Sequence, residues 1–461
     1  MRLTLEEIVQ ATAGRLAAPA GGTGPPVITG VSTDTRVLRP GDLFVALRGP
    51  RANGADFIPE AFRRGAAAAL AASAVAAAPG PVVLVTDVLA ALAALAHHYR
   101  RTLQVTVIGV TGSVGKTTTA AMSAAVLAPA FAVVRTRDDW NAEIGVPLTL
   151  LGLESGHQAA VIEMAMRGLG QIADLVTMAQ PRIGVVTNVG DTHLELLGSR
   201  ENIARAKEEL VTGLPRGGTA VLNRDDPLVS RMRPAPGVRV LFYGLSPSAE
   251  IQAREIAHEQ GGVRFLLAAG GETEEVRLQA WGRHNVRNAL AAAGVGLAMG
   301  LTVRQIAGGL AGYTPPKMRL QPVEAGDLLI INDAYNASPA SMEAAFEVLD
   351  LVARGRRTVA ILGEMRELGH ESPRLHRDVG VMLARRRVGV LVAVADGGAQ
   401  IAEGAVTGGM PPEAIIRLPS VEAAAEEVRG VVRPGDVVLV KGSRALEMER
   451  IVSTLVASRA S

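Results

Sequence analysis

The stretch from Val105 to Thr118 leaves this chain few options. Val105-Thr-Val-Ile-Gly109 has the apolar, β-branched make-up of a buried strand. Gly109-Val-Thr-Gly112-Ser-Val-Gly115-Lys116-Thr117 follows it and runs into an alanine-rich helical stretch. A strand, a glycine-rich turn and a helix, in that order, turn backbone N–H groups inward at a helix N-terminus, where an anion is held. Lys116 is placed to reach the outer phosphates of a nucleoside triphosphate, and the Thr117 hydroxyl to ligate Mg2+. Thr111, Gly112, Ser113, Val114, Gly115, Lys116, Thr117 and Thr118 are therefore the expected nucleotide cradle. The usual spacing has glycine five residues before Gly115, where this chain has Val110; Gly109 and Gly112 supply the freedom instead. A tight turn carrying an exposed lysine is the plain alternative. A phosphate loop alone fits kinases, motors, switches and ligases equally.

The rest of the chain repeats the strand–helix rhythm. Ala159–Glu163, Ile183–Asn188 and Thr219–Asn223 read as further strands between helix-length segments, which implies right-handed βαβ units and a mostly parallel sheet. A more polar, β-rich piece runs from about Val240 to Leu278, and Asn285 to Met299 reads as a helix. Gly312-Tyr-Thr-Pro-Pro316 has the make-up of a linker. Beyond it Leu328–Ile331, Val359–Leu362, Val388–Ala395 and Val437–Val440 form a second doubly wound series. Before Val105, short β pieces over Ile28–Leu47, a helix-like run and the strand Val82–Val85 suggest a small α/β unit. The Ala66–Ala78 stretch is too short and too alanine-rich for a membrane span of roughly 20 apolar residues, and is expected to be a buried helix. The fold class expected is α/β in three domains: a small N-terminal α/β domain over residues 1–102, a central P-loop ATPase-type parallel-sheet domain over 103–313, and a C-terminal Rossmann-like domain over 314–461.

Length supports that division, because 461 residues exceed what one core holds. With 47 Lys+Arg against 45 Asp+Glu the formal charge is +2, which asks for neither nucleic acid nor an anionic membrane. There is no cysteine, so disulfides, thiolate catalysis and cysteine-based zinc sites are excluded. Met1-Arg-Leu-Thr-Leu-Glu-Glu puts two acids where a secretory signal needs an apolar core. A cytoplasmic protein is expected.

Ligands of open parallel sheets bind beyond the carboxyl ends of the strands. Glu163 ends one strand there and could hold Mg2+; a helix-capping acid is the other reading. His193 follows the next strand and could equally be a surface histidine. Lys207, in Asn202-Ile-Ala-Arg-Ala-Lys-Glu-Glu-Leu210, reads by itself as a solvated helix face. Asn285 and Asn288 are three apart and share a helix face, where amides can read an adenine edge. Capping by Asn285 is the alternative.

Taken together, and in order along the chain, these segments resemble the Mur ligases, which add amino acids to the UDP-N-acetylmuramoyl precursor of peptidoglycan. The matching stretches are Thr111-Gly-Ser-Val-Gly-Lys-Thr-Thr, Asn141-Ala-Glu-Ile-Gly-Val-Pro147, Val161-Ile-Glu-Met, Thr187-Asn-Val-Gly-Asp-Thr-His-Leu-Glu and Ala204-Arg-Ala-Lys-Glu-Glu. Gly282-Arg-His-Asn-Val-Arg-Asn288, Asp333-Ala-Tyr-Asn-Ala-Ser-Pro339, Leu362-Gly-Glu-Met and Lys441-Gly-Ser-Arg444 continue the series. Asp333–Pro339 is similar to the branch that joins D-alanyl-D-alanine to the UDP-linked tripeptide. The sister enzyme that adds the third amino acid usually carries Asp-Asn-Pro-Arg, a motif missing here. This chain has Ala142 where the family often has a second asparagine, and Asn53-Gly-Ala55 where many members have Asp-Gly-His.

The resemblance implies an ATP-dependent amide-bond ligase with Mg2+, with UDP-N-acetylmuramoyl-tripeptide and D-alanyl-D-alanine as substrates, acting as a monomer. It implies that ATP phosphorylates the tripeptide carboxylate and that the dipeptide amine then displaces phosphate. Lys116, Glu163, His193 and Lys207 become the catalytic set. Thr117, Glu163, His193 and a carbamylated Lys207 become the metal set. Arg319 is expected at phosphate and Asp333 at the ribose hydroxyls. Ser32, Thr33 and Arg36 lie in the expected uridine-diphosphate domain, and Asn141, Asn336 and Ser338 are further substrate candidates. The sister ligase is the nearest rival, and a P-loop kinase or nucleotide switch the more distant one.

Overall fold

The computed structural model describes residues 1–17, 26–50, 52–73, 78–137, 140–259 and 261–459. Its first strands are β1 (Leu3–Thr4), β2 (Arg15–Leu16), β3 (Val27–Ile28), β4 (Gly30–Ser32), β5 (Asp42–Val45), β6 (Ala68–Ala71) and β7 (Val82–Leu84). β1 and β3 pair as a ribbon, and the others form a five-stranded sheet in the order β2-β7-β6-β5-β4. The expected helix over Ala66–Ala78 is therefore wrong where it is described: β6 lies parallel between β5 and β7 with all four residues buried. Alanine favours helix only weakly, and burial between two neighbouring strands overrides that preference. Residues 74–77 of that stretch lie outside the described residues.

The central sheet has nine strands: β8 (Thr106–Thr111), β9 (Val133–Arg135), β10 (Ala159–Glu163), β11 (Ile183–Val186), β12 (Thr219–Asn223), β13 (Arg239–Gly244), β14 (Ile251–Glu259), β15 (Gly262–Ala269) and β16 (Glu272–Leu278). Their order is β16-β15-β14-β13-β12-β11-β8-β10-β9. Pairing is parallel from β9 through β14 and antiparallel over the last two pairs. Alternate residues feed opposite faces, as the pleat requires. Ile108, Val110, Val161 and Val185 pack under the helices Lys116–Leu127 and Arg283–Ala298. Val107, Ala160, Ile162 and Val186 face a core shared with the helices Val88–Arg101 and Arg200–Thr212. The chain leaves β8 toward β9 and β10 on one side and returns to β11 on the other. The loop after β8 thus opens at the point where winding reverses, which is where α/β sheets bind ligands.

The third sheet holds β17 (Gln321–Ala325), β18 (Leu328–Asp333), β19 (Thr358–Leu362), β20 (Val390–Val394), β21 (Ile415–Leu418) and β22 (Val437–Lys441), in the order β17-β18-β22-β19-β20-β21. Only the β17–β18 edge pair is antiparallel. Helices Pro339–Ala353 and Ser372–Arg385 cover one face, and Val421–Val431 and Glu449–Ala457 the other. Among the described residues, no helix is long and apolar enough to cross a membrane.

Candidate active site between the central and C-terminal sheets

The loop after β8 is braced by the residues that end β11. Ser113 N–H donates to Asn188 O at 2.9 Å and Val114 N–H to Asn188 Oδ1 at 2.9 Å. Thr187 Oγ1 and Asn188 Nδ2 both donate to Val114 O, at 2.7 and 2.8 Å. Glycine is required twice. A Cβ on Gly112 would lie 1.8 Å from Thr187 Oγ1, and Gly115 opens the helix at φ +85° with Asn288 pressed against it. Lys116 folds back over the loop, donating from Nζ to Gly112 O at 2.8 Å and Ser113 O at 3.3 Å. Burial lowers its pKa, opposed by the nearby Glu163 carboxylate.

Thr117 and Glu163 meet beside that lysine. Thr117 Oγ1 donates to Glu163 Oε2 at 2.9 Å, while Asn141 Nδ2 donates to Glu163 Oε1 at 2.9 Å. Glu163 N–H donates to Thr136 Oγ1, which fixes the strand end. Arg319 reaches this pair from the start of the third unit, donating from Nη2 to Thr117 Oγ1 at 3.2 Å. Its guanidinium lies 3.7 Å from the Tyr335 ring centre, a stacked cation–π arrangement. Met318 and Leu320, on either side of it, hold left-handed φ of 58° and 49°. Such backbone persists only where its surroundings impose it.

Lys207 is not solvated. It is 2% exposed, on the inner face of its helix, and makes no hydrogen bond or ion pair among the described residues. Burial drives its pKa well below the ordinary lysine value, and Lys116 adds to the effect. Burial thus favours the uncharged form of the amine. His193 opens a short helix in a left-handed conformation, and its Nδ1 is 2.6 Å from Glu367 Oε2 in the third unit. The imidazole of His193 beside it holds the Glu367 carboxyl below its usual range, with Arg167 and Lys116 adding to the effect.

Asn285 and Asn288 lie inside the helix Arg283–Ala298, whose N-cap is Gly282, so Asn285 does not cap it. Asn285 Nδ2 donates to Trp281 O, Asn288 Nδ2 to Asn285 Oδ1, and Thr119 Oγ1 to Asn288 Oδ1. A cleft lined by Thr118, Trp281, Asn285, Tyr313 and Arg319 opens next to them. Asp333 ends β18, yet its carboxylate is engaged from within its own unit. Oδ2 accepts from Lys441 Nζ at 2.6 Å and Oδ1 from Leu320 N–H at 3.1 Å. Lys441 also donates to Asn336 O. Asn336 Oδ1 accepts from Ala337 N–H, and Ser338 is the N-cap of its helix with Ser341 as capping-box partner.

In the first unit, Ser32 lies at the end of β4 and exchanges hydrogen bonds with the Asp34 backbone. Arg36 pairs with Asp34 at 2.6 Å, and Thr33 is half-buried between them. Sequence reasoning did not single out Glu367, Thr136 or Asn188. Thr187-Asn188 directly after an apolar strand was the available signal for the last; nothing local marks Glu367.

Three family models match in succession: "Mur ligase family, catalytic domain" over residues 27–100, "Mur ligase middle domain" over 110–296, and "Mur ligase, glutamate ligase domain" over 318–444. The UDP-N-acetylmuramoyl-tripeptide–D-alanyl-D-alanine ligase of Bacillus subtilis is 35% identical over 464 residues, covering 99% of each chain. Its Escherichia coli counterpart is 34% identical over 92% of this chain and 93% of its own. A crystal structure of MurF from Acinetobacter baumannii superposes with a TM-score of 0.90 at 30% identity, covering 99% of both chains. MurF ligase from Thermotoga maritima, in complex with ADP, gives 0.82 at 30% identity over 94% and 98%. A chain that carries this loop, this three-sheet order and this likeness along its whole length belongs to the Mur ligase family.

Proposed function

We infer that this chain is an ATP-dependent ligase that joins D-alanyl-D-alanine to UDP-N-acetylmuramoyl-tripeptide, completing the UDP-linked pentapeptide of peptidoglycan synthesis. Whole-length likeness to ligases of that name supports the reading over the sister enzyme and over a kinase or switch. The observation that carries its mechanism is the junction of Lys116, Thr117, Glu163 and Arg319, where two sheets meet at one phosphate loop.

A carboxylate is a poor electrophile. Its oxygen attacks the γ-phosphorus of ATP, ADP leaves, and the carbonyl carbon gains a phosphate leaving group. The dipeptide ammonium gives up one proton to water, the freed nitrogen lone pair attacks that carbon, the C–O bond breaks, inorganic phosphate leaves, and the nitrogen loses a second proton to water. The first step drives two anions together, so positioning and charge neutralisation must supply the catalysis. In this proposal the N–H groups of Gly115, Lys116 and Thr117 at the helix N-terminus hold the β and γ phosphates, those of Ser113 and Val114 being bonded to Asn188, and Lys116 turns from its own loop carbonyls to the γ-phosphate. Arg319 adds the second positive charge.

The donor set suits Mg2+. Thr117 Oγ1 and Glu163 Oε2 are 2.9 Å apart, close enough to share one small cation, and both are hard oxygen donors. Bound there, Mg2+ would neutralise charge on the β and γ phosphates. The buried Lys207 amine, its pKa pushed down by burial and without a hydrogen bond among the described residues, fits carbamylation: in its uncharged form it would add CO2, lose a proton and become an anion, proposed with His193 as a ligand to a second metal. Asn285 and Asn288 flank the cleft proposed for adenine. Asp333 is proposed for the ribose, Asn141, Asn336 and Ser338 for substrate contacts, and Ser32, Thr33 and Arg36 for the uridine diphosphate. Domains over residues 1–102, 103–313 and 314–461, a monomer and a cytoplasmic location complete the reading.

Phosphate release from ATP tests it. Release that needs both UDP-N-acetylmuramoyl-tripeptide and D-alanyl-D-alanine is expected. Release supported instead by UDP-linked dipeptide with single amino acids would hand the chain to the sister activity.

A further inference from the structure

The acidic groups of the cleft between the central and third sheets are nearly all committed. Both oxygens of Glu163 accept hydrogen bonds, from Thr117 and Asn141. Asp333 is held by Lys441 and the Leu320 amide. Asp191 is gripped by Arg200 through both oxygens, and Glu364 pairs with Arg366. The groups that gather phosphate, Lys116 and Arg319, are cations. Yet the second substrate of a ligase that uses a dipeptide arrives with a positive amino terminus, which those cations repel.

Glu195, beside the His193 turn, makes no side-chain hydrogen bond or ion pair among the described residues, and Glu367 keeps one oxygen clear of hydrogen bonds; the better fixed of the two is Glu367. It sits past the carboxyl end of β19 and faces the central unit across the cleft. Its Oε2 is 2.6 Å from His193, while Oε1 is 3.8 Å from the exposed Arg167, farther than a hydrogen bond. The side chain is 37% exposed, so it is not sealed in by the contact with His193. The loop that presents it is built rigidly. Met365 N–H donates to Nε2 of the buried His376 at 2.8 Å, Arg366 N–H donates to Ser443 Oγ at 2.9 Å, and Gly363 N–H donates to Lys441 O at 2.9 Å. Glu367 itself is left-handed at φ 62°, a conformation a non-glycine residue adopts at a cost and keeps only under constraint. Two residues on, Gly369 lies against Glu195, so the loop abuts the His193 turn directly. A half-open acid, held in a strained backbone at the junction of two units, is more than a packing contact needs.

We propose that the Glu367 carboxylate binds the amino terminus of the incoming dipeptide and orients its nitrogen toward the acyl phosphate. The assignment rests on the ligase reading. It makes Glu367 a substrate-binding residue for the second half-reaction only, since the first uses no amine.

Glu367→Gln keeps size and one acceptor and removes the charge at a half-open position, so the fold should survive. In the full-length enzyme with ATP, Mg2+ and UDP-N-acetylmuramoyl-tripeptide, KM for D-alanyl-D-alanine should rise about ten- to a hundredfold, the worth of one charge-assisted contact. Formation of the acyl phosphate without dipeptide, trapped by borohydride reduction and counted as ADP per enzyme, should stay within about twofold, an order-of-magnitude margin well under one such contact. Inhibition by N-acetyl-D-alanyl-D-alanine, which lacks the ammonium, should be the same in both proteins. An active Glu367→Gln enzyme with unchanged dipeptide KM overturns the assignment. So does a parallel fall in acyl-phosphate formation, which would make Glu367 a metal or closure residue. Wild-type protein that forms no ligated product instead sinks the ligase reading, and this assignment with it.

Discussion

The central and third sheets are built alike and used differently. Each is a mostly parallel, doubly wound sheet with helices on both faces, and each ends a key strand in a loop that carries charged side chains. After β8 the loop leads into a helix whose first amides, Gly115 to Thr117, have no protein acceptor among the described residues, and its lysine bonds only to backbone carbonyls that a phosphate can replace. After β18 the charged residue, Asp333, is locked by Lys441 and by the linker amide of Leu320. One loop leaves its lysine free to turn to a ligand; the other ties its acid to the segment that carries Arg319 between the left-handed Met318 and Leu320. Fold alone therefore does not say which strand end does chemistry. The commitments of the charged groups do.

Substitutions separate the two roles. Lys116→Ala should have the largest effect, lowering kcat by about a thousandfold or more, because phosphoryl transfer depends on charge at the transferring group. Arg319→Ala should cost about a hundredfold or more in kcat with the fold intact, read by steady-state rates beside a melting curve. Unchanged turnover would remove the third unit from the first step. Lys441→Met should act on stability, by about 3–5 kcal/mol in denaturant unfolding, because it strands a buried carboxylate. The double change Lys441→Met with Asp333→Asn should recover part of that loss. Equal stability in all three proteins would mean that the pair does not lock the loop.

The smallest effect is set by pH. Burial lowers the His284 pKa from 6.5 to about 4, with Arg287 and Lys441 adding to the shift. The folded protein thus keeps it neutral where the unfolded chain takes a proton. Stability from this source is complete above about pH 6.5, declines as pH falls toward 4 and changes no further below. His284→Gln should flatten that part of the stability curve relative to wild type, measured by melting temperature across pH 4–7 in one buffer series. Parallel curves would show that the histidine does not contribute.

Much of this was legible in the sequence. The loop from Gly109 to Thr117 announced itself because its function depends on local backbone geometry, and Glu163 followed from strand-end placement. Lys207 was not legible from charge pattern: between Arg205 and Glu208 it reads as solvated, and only packing of its helix face reveals the burial. The Ala66–Ala78 stretch misled because alanine suits both a helix and a strand buried on two sides. Glu367 could not be found locally, since its meaning lies in a partner, His193, 174 positions away in another sheet's territory.

The central claim is that ATP activates the tripeptide carboxylate. UDP-N-acetylmuramoyl-tripeptide labelled with 18O in its terminal carboxylate tests it most directly. After one turnover with D-alanyl-D-alanine, one 18O atom is expected in the released inorganic phosphate and one in the new amide carbonyl. Unlabelled phosphate, with ligated product formed, would contradict it.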